Sequence, residues 1–307
     1  MPAFLTLAHG DARVQLAPHT GGAIVGFQWR DVHVLRSTAP DRAEAGDVRR
    51  HACYPLVPYS NRIAHGRLTF RGVTHQLDLN FGDHPHSIHG VGWQRPWNVR
   101  AHDATSALLA CEHRADGRPE EPDTRAWPWP FRATQRFQLF GEESPTLRMQ
   151  LTLENTGTES FPFGLGWHPF FPTNRDTVLA FRAEGVWETD ETVLPVRHVA
   201  AGGTYSFDPP HAIGTTSLDN VYTGWTGEAE VRYARERRMT LMRGDTSCPY
   251  FVCYIPAHAQ FIAIEPVTQM TDAFNRAERG ETDTGTRVLA PGEAFSCTME
   301  ISARETP

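Results

Sequence analysis

The stretch "TLRMQLTLEN", residues 146–155, indicates the fold class. Its apolar positions, Leu147, Met149, Leu151 and Leu153, alternate with polar ones. A period of two turns one face of a β-strand to the core and the other to solvent, so the stretch predicts a half-buried strand. The segment "AFSCTMEIS", residues 294–302, has the same period.

The rest of the chain extends this pattern. "FIAIEPV", residues 261–267, is a short continuous apolar run, as expected of a strand buried on both faces. Twenty-five glycines and 23 prolines interrupt the chain at short intervals, and we find no long segment with a helical period. These features predict an all-β fold, a large antiparallel β-sandwich, with residues 1–307 in a single domain.

One long stretch is loop-like. "RADGRPEEPDTRAWPWP", residues 114–130, is rich in charges and prolines, which predicts an exposed loop. We expect Trp127 and Trp129 to anchor its end.

Composition narrows the class of protein. Hydrophobic residues make up 40% and charged residues 21%, which is typical of a globular chain. The net charge of −7 argues against a nucleic-acid partner, and no apolar run is long enough to predict a membrane span. The start of the chain lacks the pattern of a signal peptide. Five cysteines without a CxxC pair favour neither a disulfide framework nor a zinc ribbon, so we expect a cytoplasmic location.

Two ionisable residues stand in apolar surroundings. His168 lies within "FGLGWHPFF", where it is either a core histidine with one hydrogen bond or a catalytic proton carrier. Glu265 ends the apolar run of "IAIEPVTQMTDAFN". Because burial raises the pKa of a carboxyl group, Glu265 is a candidate general base, and the alternative is a salt bridge to an arginine.

Three further residues are candidates for binding a polar ligand. Asn61 and Arg62, in "PLVPYSNRIAHGR", offer amide and guanidinium donors, although a turn asparagine beside a surface arginine has the same sequence. Asp219, in "SLDNVYTGW", is either a turn carboxylate or an acceptor for ligand hydroxyl groups.

Three histidines lie close together in "DHPHSIHGVGW": His84, His86 and His89. HxH spacing on a strand suits a metal, but Pro85 argues against a regular strand, and a fourth ligand is not evident. The other functional interpretation is a neutral histidine that binds a ligand hydroxyl group. We expect no metal.

Five pieces in this order resemble the aldose 1-epimerase (galactose mutarotase) family: "SNRIAHGR", "IHG", "GLGWHPFF", "LDNVYTGW" and "EPVTQMTDAFN". The resemblance spans residues 5–301. More narrowly, the chain resembles a bacterial branch of the family whose members are provisionally named aldose 1-epimerases. It implies the family's supersandwich, a large antiparallel β-sandwich.

The resemblance also implies residue roles. His168 matches the general acid and Glu265 the general base, while Arg62, His89 and Asp219 match substrate-binding residues. The chain departs from the family pattern at three places: Gln269 is shifted relative to the base, Thr271 stands where proline is usual, and Asn220 where histidine is common. The roles of His84, His86 and Gln269 stay open.

The implied activity is the interconversion of the α and β anomers of a free aldohexose, such as glucose or galactose, by acid–base opening and reclosure of the ring, without a cofactor. The expected partner is a monosaccharide, with Trp93, Trp167 or Phe170 as a flat wall against the sugar. Monomer and homodimer both remain open.

Other functions fit parts of the pattern. A non-catalytic sugar-binding module would share the fold. A hexose-6-phosphate 1-epimerase would need extra arginine or lysine at the far end of the sugar, which the sequence does not locate. A glycoside hydrolase would pair Glu265 with Asp219, and a metal enzyme would use the histidines at 84–89.

Overall fold

The computed structural model describes residues 4–38, 46–115, 122–257 and 260–306. About 51% of the chain is strand and about 9% is helix. The strands are β1 (Leu5–His9), β2 (Ala12–Ala17), β3 (Ala23–Trp29), β4 (Val32–His33), β5 (Pro55–Leu56), β6 (Arg62–Ile63), β7 (Arg67–Phe70), β8 (Val73–Gln76), β9 (Ser87–Ile88), β10 (Asn98–His102), β11 (Ser106–His113), β12 (Phe131–Phe140), β13 (Thr146–Asn155), β14 (Phe161–Phe163), β15 (Gly166–Trp167), β16 (Phe170–Pro172), β17 (Val178–Phe181), β18 (Gly185–Thr189), β19 (Pro195–Ala200), β20 (Phe207–Ala212), β21 (Leu218–Thr223), β22 (Glu228–Tyr233), β23 (Arg238–Gly244), β24 (Tyr250–Ile255), β25 (Phe261–Val267), β26 (Arg287–Leu289) and β27 (Ala294–Glu305).

Helices are few and short within these ranges. The α-helices are α1 (Pro122–Ala126) and α2 (Ala273–Glu278). The 3₁₀ turns lie at Val48–Arg50, Ala64–Gly66, Gly92–Gln94, Gly203–Tyr205 and Ala234–Glu236.

Two large antiparallel sheets form the body of the molecule. The first has the strand order β10–β11–β12–β13–β27–β23–β22–β17–β20. The second has the order β19–β18–β21–β24–β25–β15–β5, and β16 also pairs with β25. A four-stranded sheet, β1–β2–β3–β4, and the pairs β6–β9, β7–β8 and β14–β26 complete the strands. The predicted all-β class and antiparallel sandwich are confirmed.

The three predicted strands are present. Residues 146–155 are β13, whose four predicted apolar side chains are buried. β13 pairs with β27, with Met149 opposite Met299 and Leu151 opposite Cys297. Residues 261–267 are β25, which is buried from residue 262 to residue 267 on both of its faces. One apolar cluster contains side chains of both large sheets, among them Leu151 and Ile264, so the sheets share a core.

The long loop predicted at 114–130 is only partly loop. Residues 116–121 lie outside the described residues, and residues 122–126 form α1. Trp127 and Trp129 are buried, and Trp127 packs 5.5 Å from the ring of Tyr59, so the end of this stretch is anchored in the core.

All five cysteines are buried and unpaired. Among the described residues, the helices are too short to cross a membrane.

Candidate active site

A cleft beside the second large sheet, the one that contains β25, brings six of the seven predicted site residues together. They are Asn61, Arg62, His89, His168, Asp219 and Glu265. The cleft has a volume of about 240 Å³. This is slightly below the roughly 300–1,000 Å³ of pockets for drug-sized ligands, so it suits a small ligand.

Strand register places His168 opposite Glu265. β25 pairs with β15 through Val267 and Gly166, and with β16 through Ala263 and Phe170. The same antiparallel register holds on both sides of the gap between β15 and β16, so His168 falls directly across from Glu265. Cross-strand neighbours share a face of the sheet, about 4.5–5.5 Å apart at Cβ. His168 Nε2 accordingly lies 3.3 Å from Glu265 Oε1.

The pair is buried, and burial controls its protonation. The side chains of His168 and Glu265 are 10% and 3% exposed. Burial raises the pKa of Glu265 well above its ordinary value, and the nearby charge of Asp219 raises it further. Burial, with the charges of Arg36 and Arg62, lowers the pKa of His168 to about 3. Both shifts favour the neutral pair over the ion pair, because a low-dielectric site penalises charge. Glu265 Oε2 has no hydrogen-bond partner in the described part of the chain, so it is an unpaired acceptor in the cleft wall.

Asn61 and His89 hold each other in place. The backbone N–H of Asn61 donates to His89 Nδ1 at 3.0 Å, and the backbone N–H of His89 donates to the carbonyl of Asn61 at 2.9 Å. Because Nδ1 accepts, the neutral ring carries its proton on Nε2 and can donate to a ligand. Both residues have left-handed backbones, with φ of 58° and 61°. Strain of this kind clusters at functional sites.

Arg62 is fixed by three neighbours that also line the cleft. Its Nη2 donates to Asp219 Oδ2 at 3.0 Å, its Nη1 to Asn61 Oδ1 at 3.1 Å and its Nε to His84 Nε2 at 3.3 Å. Asp219 lies on β21 opposite Tyr254 of β24, and Val252 of β24 lies opposite Glu265. The two carboxylates therefore face the same cleft from strands separated by one strand.

The segment after Glu265 supports the strand that carries Arg62. Gln269 is buried; its Nε2 donates to the carbonyl of Ser60 at 3.0 Å, and its Oε1 accepts from Ser60 Oγ at 3.2 Å. The backbone N–H of Asp272 donates to the carbonyl of Arg62 at 2.8 Å. Gln269 does not line the cleft, so the structure gives it a supporting position next to Asn61.

Trp93 is the predicted site residue that does not line the cleft. It is 2% exposed, and its Nε1 donates to the carbonyl of Gly90 at 3.1 Å. Tyr54 packs on it at 5.7 Å and stands 4.9 Å from the ring of His168. Tyr54 and Phe170 therefore form part of the aromatic wall, with Trp93 behind Tyr54. Trp167 is buried in the core.

The three close histidines differ in what they face, although the ring centroids of His84 and His86 lie 5.3 Å apart. His89 and His84 line the cleft, whereas His86 is fully buried away from it and accepts from the backbone N–H of His65. Within residues 4–38, 46–115, 122–257 and 260–306, no three metal-ligating side chains are clustered as a metal site requires.

Four lining residues with polar groups escape prediction from the sequence: Arg36, Arg49, Tyr54 and Tyr254. Arg36 is placed at the cleft by a tertiary contact, because its backbone N–H donates to the carbonyl of Phe170 at 2.8 Å. Tyr254 could have been found, because it lies opposite Asp219 once the strand register is known.

Comparison with known proteins assigns the family. The family model described as aldose 1-epimerase matches residues 4–302, and the chain belongs to this family. A curated relative from Escherichia coli K12, named uncharacterized protein YphB, is 30% identical over an alignment of 307 positions, which covers 97% of this chain and 97% of the relative.

Solved structures agree with this assignment. A crystal structure from E. coli K12, provisionally described as an aldose 1-epimerase, has a TM-score of 0.86 at 27% identity and covers 98% of this chain and 99% of its own. A galactose mutarotase-like protein from Clostridium acetobutylicum has a TM-score of 0.83 at 17% identity, covering 99% and 95%. The latter likeness supports the fold alone.

Proposed function

We propose that the protein is a mutarotase that interconverts the α and β anomers of an aldohexose. The observation that carries the proposal is the buried pair of His168 and Glu265, 3.3 Å apart in a small cleft. Ring opening needs a base for the proton of the anomeric hydroxyl group and an acid for the ring oxygen. One carboxylate and one imidazole supply both, and each role is typically worth about 10²–10⁴ in rate.

In the proposed reaction, Glu265 accepts the proton of the C1 hydroxyl group while His168 donates a proton to the ring oxygen O5. The C1–O5 bond breaks and C1 becomes an aldehyde. Rotation about C1–C2 turns the other face of the aldehyde to the C5 hydroxyl group. Reclosure returns one proton to His168 and takes the other from Glu265, so the enzyme is unchanged.

The pKa directions fit the middle of this cycle. After ring opening, Glu265 is protonated and His168 is neutral, which is the protonation that burial favours. The site therefore stabilises the open-chain complex. The reaction begins from the ion pair, in which the shared proton is on His168 instead of Glu265, and this state has the higher energy.

Sugar recognition falls to the rest of the cleft. Arg62 and Asp219 present a fixed donor and acceptor to ring hydroxyl groups, and His89 presents an N–H. Tyr54 and Phe170 offer flat faces to the apolar C–H side of a pyranose. No part of this chemistry calls for a cofactor.

We extend the proposal to the setting of the protein. Five unpaired, buried thiols suit a reducing cytoplasm. A family match to residues 4–302 supports one aldose 1-epimerase domain over residues 1–307. Monomer and homodimer are both compatible with this proposal.

The test is polarimetry. Freshly dissolved α-D-glucose and α-D-galactose are each mixed with the wild-type protein or with Glu265→Gln, the matched control. We expect the wild type to accelerate the decay of optical rotation and the variant to fall close to the spontaneous rate. Sugar binding without acceleration would instead identify a binding module, and cleavage of a disaccharide would identify a hydrolase.

A further inference from the structure

The cleft contains more positive charge than a neutral sugar requires. Three arginines line it: Arg36, Arg49 and Arg62. Arg62 is paired with Asp219, and Arg49 shares Asp47 with Arg50. In the ranges that the structure describes, no carboxylate lies within salt-bridge distance of Arg36. Burial raises the pKa of Glu265, which favours its neutral form, so it does little to offset this charge.

Arg36 is held as part of the cleft wall. Its Nε donates to the carbonyl of His51 at 2.9 Å, and its Nη2 donates to the carbonyls of His51 and Arg49. Its Cζ lies 3.4 Å from the ring centroid of Phe170. Burial lowers the pKa of Arg36 to about 10, so it still carries its charge near neutral pH. Among the described residues Nη1 has no recorded hydrogen-bond partner.

Phe170 links this charge to the acid of the proposed reaction. The imidazole of His168 stacks on Phe170 with 4.4 Å between ring centroids, and the guanidinium of Arg36 lies over the same ring. If His168 protonates O5, then C5 and its C6 substituent lie on this side of the cleft, because C5 carries both atoms. The free edge of Arg36 is then close to whatever C6 bears.

Resting on the mutarotase function, we propose that the preferred substrate is an aldohexose with an anionic group at C6, bound by Arg36 with support from Arg49. Guanidinium groups bind carboxylates and phosphates through paired N–H donors, and a fixed guanidinium loses little entropy in doing so. A C6 carboxylate and a C6 phosphate share this chemistry. Their sizes distinguish them.

The experiment measures anomer exchange at equilibrium by NMR, with D-glucose, D-glucuronate and D-glucose 6-phosphate as substrates. For the wild type we expect kcat/KM for at least one anionic sugar to exceed that for glucose by about 10-fold or more, the scale of one charged hydrogen bond. The preference should shrink as salt is added. A preference for glucuronate alone would indicate a carboxylate site, and a preference for glucose 6-phosphate alone would indicate a phosphate site. A preference for both would indicate a site that recognises negative charge of either kind.

Variants assign the effect to named side chains. Arg36→Gln should lower the anionic-to-neutral ratio of kcat/KM by about 10-fold, and Arg36→Lys should keep part of it. Arg49→Gln should lower the ratio less, and Arg50→Gln is its matched control, because Arg50 binds the same Asp47 but does not line the cleft. Using the ratio removes effects common to all sugars, such as a change in the pKa of His168.

Two results would overturn the inference while leaving the mutarotase function intact. One is a wild type that exchanges glucose as fast as either anionic sugar. The other is an Arg36→Gln variant that loses activity equally on all three sugars, which a merely structural arginine would produce. Exchange of none of the sugars would contradict the proposed function itself.

Discussion

Two acid–base pairs line the cleft, and they differ in charge state. Arg62 and Asp219 lie 3.0 Å apart with side chains 11% and 25% exposed. His168 and Glu265 lie 3.3 Å apart with side chains 10% and 3% exposed. Arginine keeps its proton in proteins, so the first pair stays ionic. In the second pair burial favours the neutral form.

This difference in charge state separates substrate binding from proton transfer. An ionic pair with fixed protons offers the same donors and acceptors throughout a reaction, so it binds ground state and transition state alike. A pair whose two protonation arrangements are both accessible can pass a proton to a ligand and recover it. Substitutions in the two pairs should therefore change different kinetic constants.

The largest effect is expected from Glu265→Gln. The amide is nearly isosteric and can still hydrogen-bond the anomeric hydroxyl group, but it cannot accept its proton. We predict that kcat for mutarotation falls by at least about 10² with little change in KM. Steady-state polarimetry and a circular dichroism spectrum check activity and folding. A folded variant with near-normal turnover would show that Glu265 is not the base.

His168→Asn should cause a similar loss, because it removes the proton donor. The double variant should lose less than the sum of the two single losses in activation free energy, since ring opening needs both transfers. Additive losses in this cycle would mean that the two residues act independently.

Arg62→Ala should affect binding more than turnover. The guanidinium contacts the sugar in both ground and transition states, so KM should rise more than kcat falls. The loss of one charged hydrogen bond is worth roughly 1.5–3 kcal/mol. Arg50→Gln is a control for removing a positive charge outside the cleft. An unchanged KM and kcat would remove Arg62 from substrate binding.

Asp219→Asn is expected to have a smaller effect, a shift of the pH profile in a defined direction. The active enzyme holds one proton on the pair, so activity falls as pH rises through the pKa of Glu265, where that proton is lost. The charge of Asp219 raises the pKa of Glu265, and Arg62 lowers it. Asp219→Asn should therefore move the alkaline limb of kcat/KM to lower pH. A limb that stays in place would assign it to another group.

The smallest effect is expected from a chelator. Both pairs act through protein side chains, and the described part of the chain holds no cluster of three metal-ligating side chains. Dialysis against a strong chelator should leave mutarotation unchanged. Loss of activity that one divalent ion restores would contradict this prediction.

The sequence predicts features that depend on neighbours along the chain. Alternation at 146–155 identifies β13, and the apolar run before Glu265 places that carboxylate in a buried strand, because both patterns reflect local burial. The sequence does not locate Arg36, whose place depends on a backbone contact with Phe170. Nor does it place Trp93, since aromatic character alone does not say which ring of a stacked wall faces the cleft.

The register between β25 and its two partners has a consequence for chain length. His168 meets Glu265 only because the connection from Gly166 to Phe170 has the number of residues that keeps β15 and β16 in one register on β25. Side chains of a strand alternate between faces, so one residue more or fewer before His168 would turn its ring away from the cleft. The number of residues between Gly166 and Phe170 is therefore fixed by where Glu265 lies on β25.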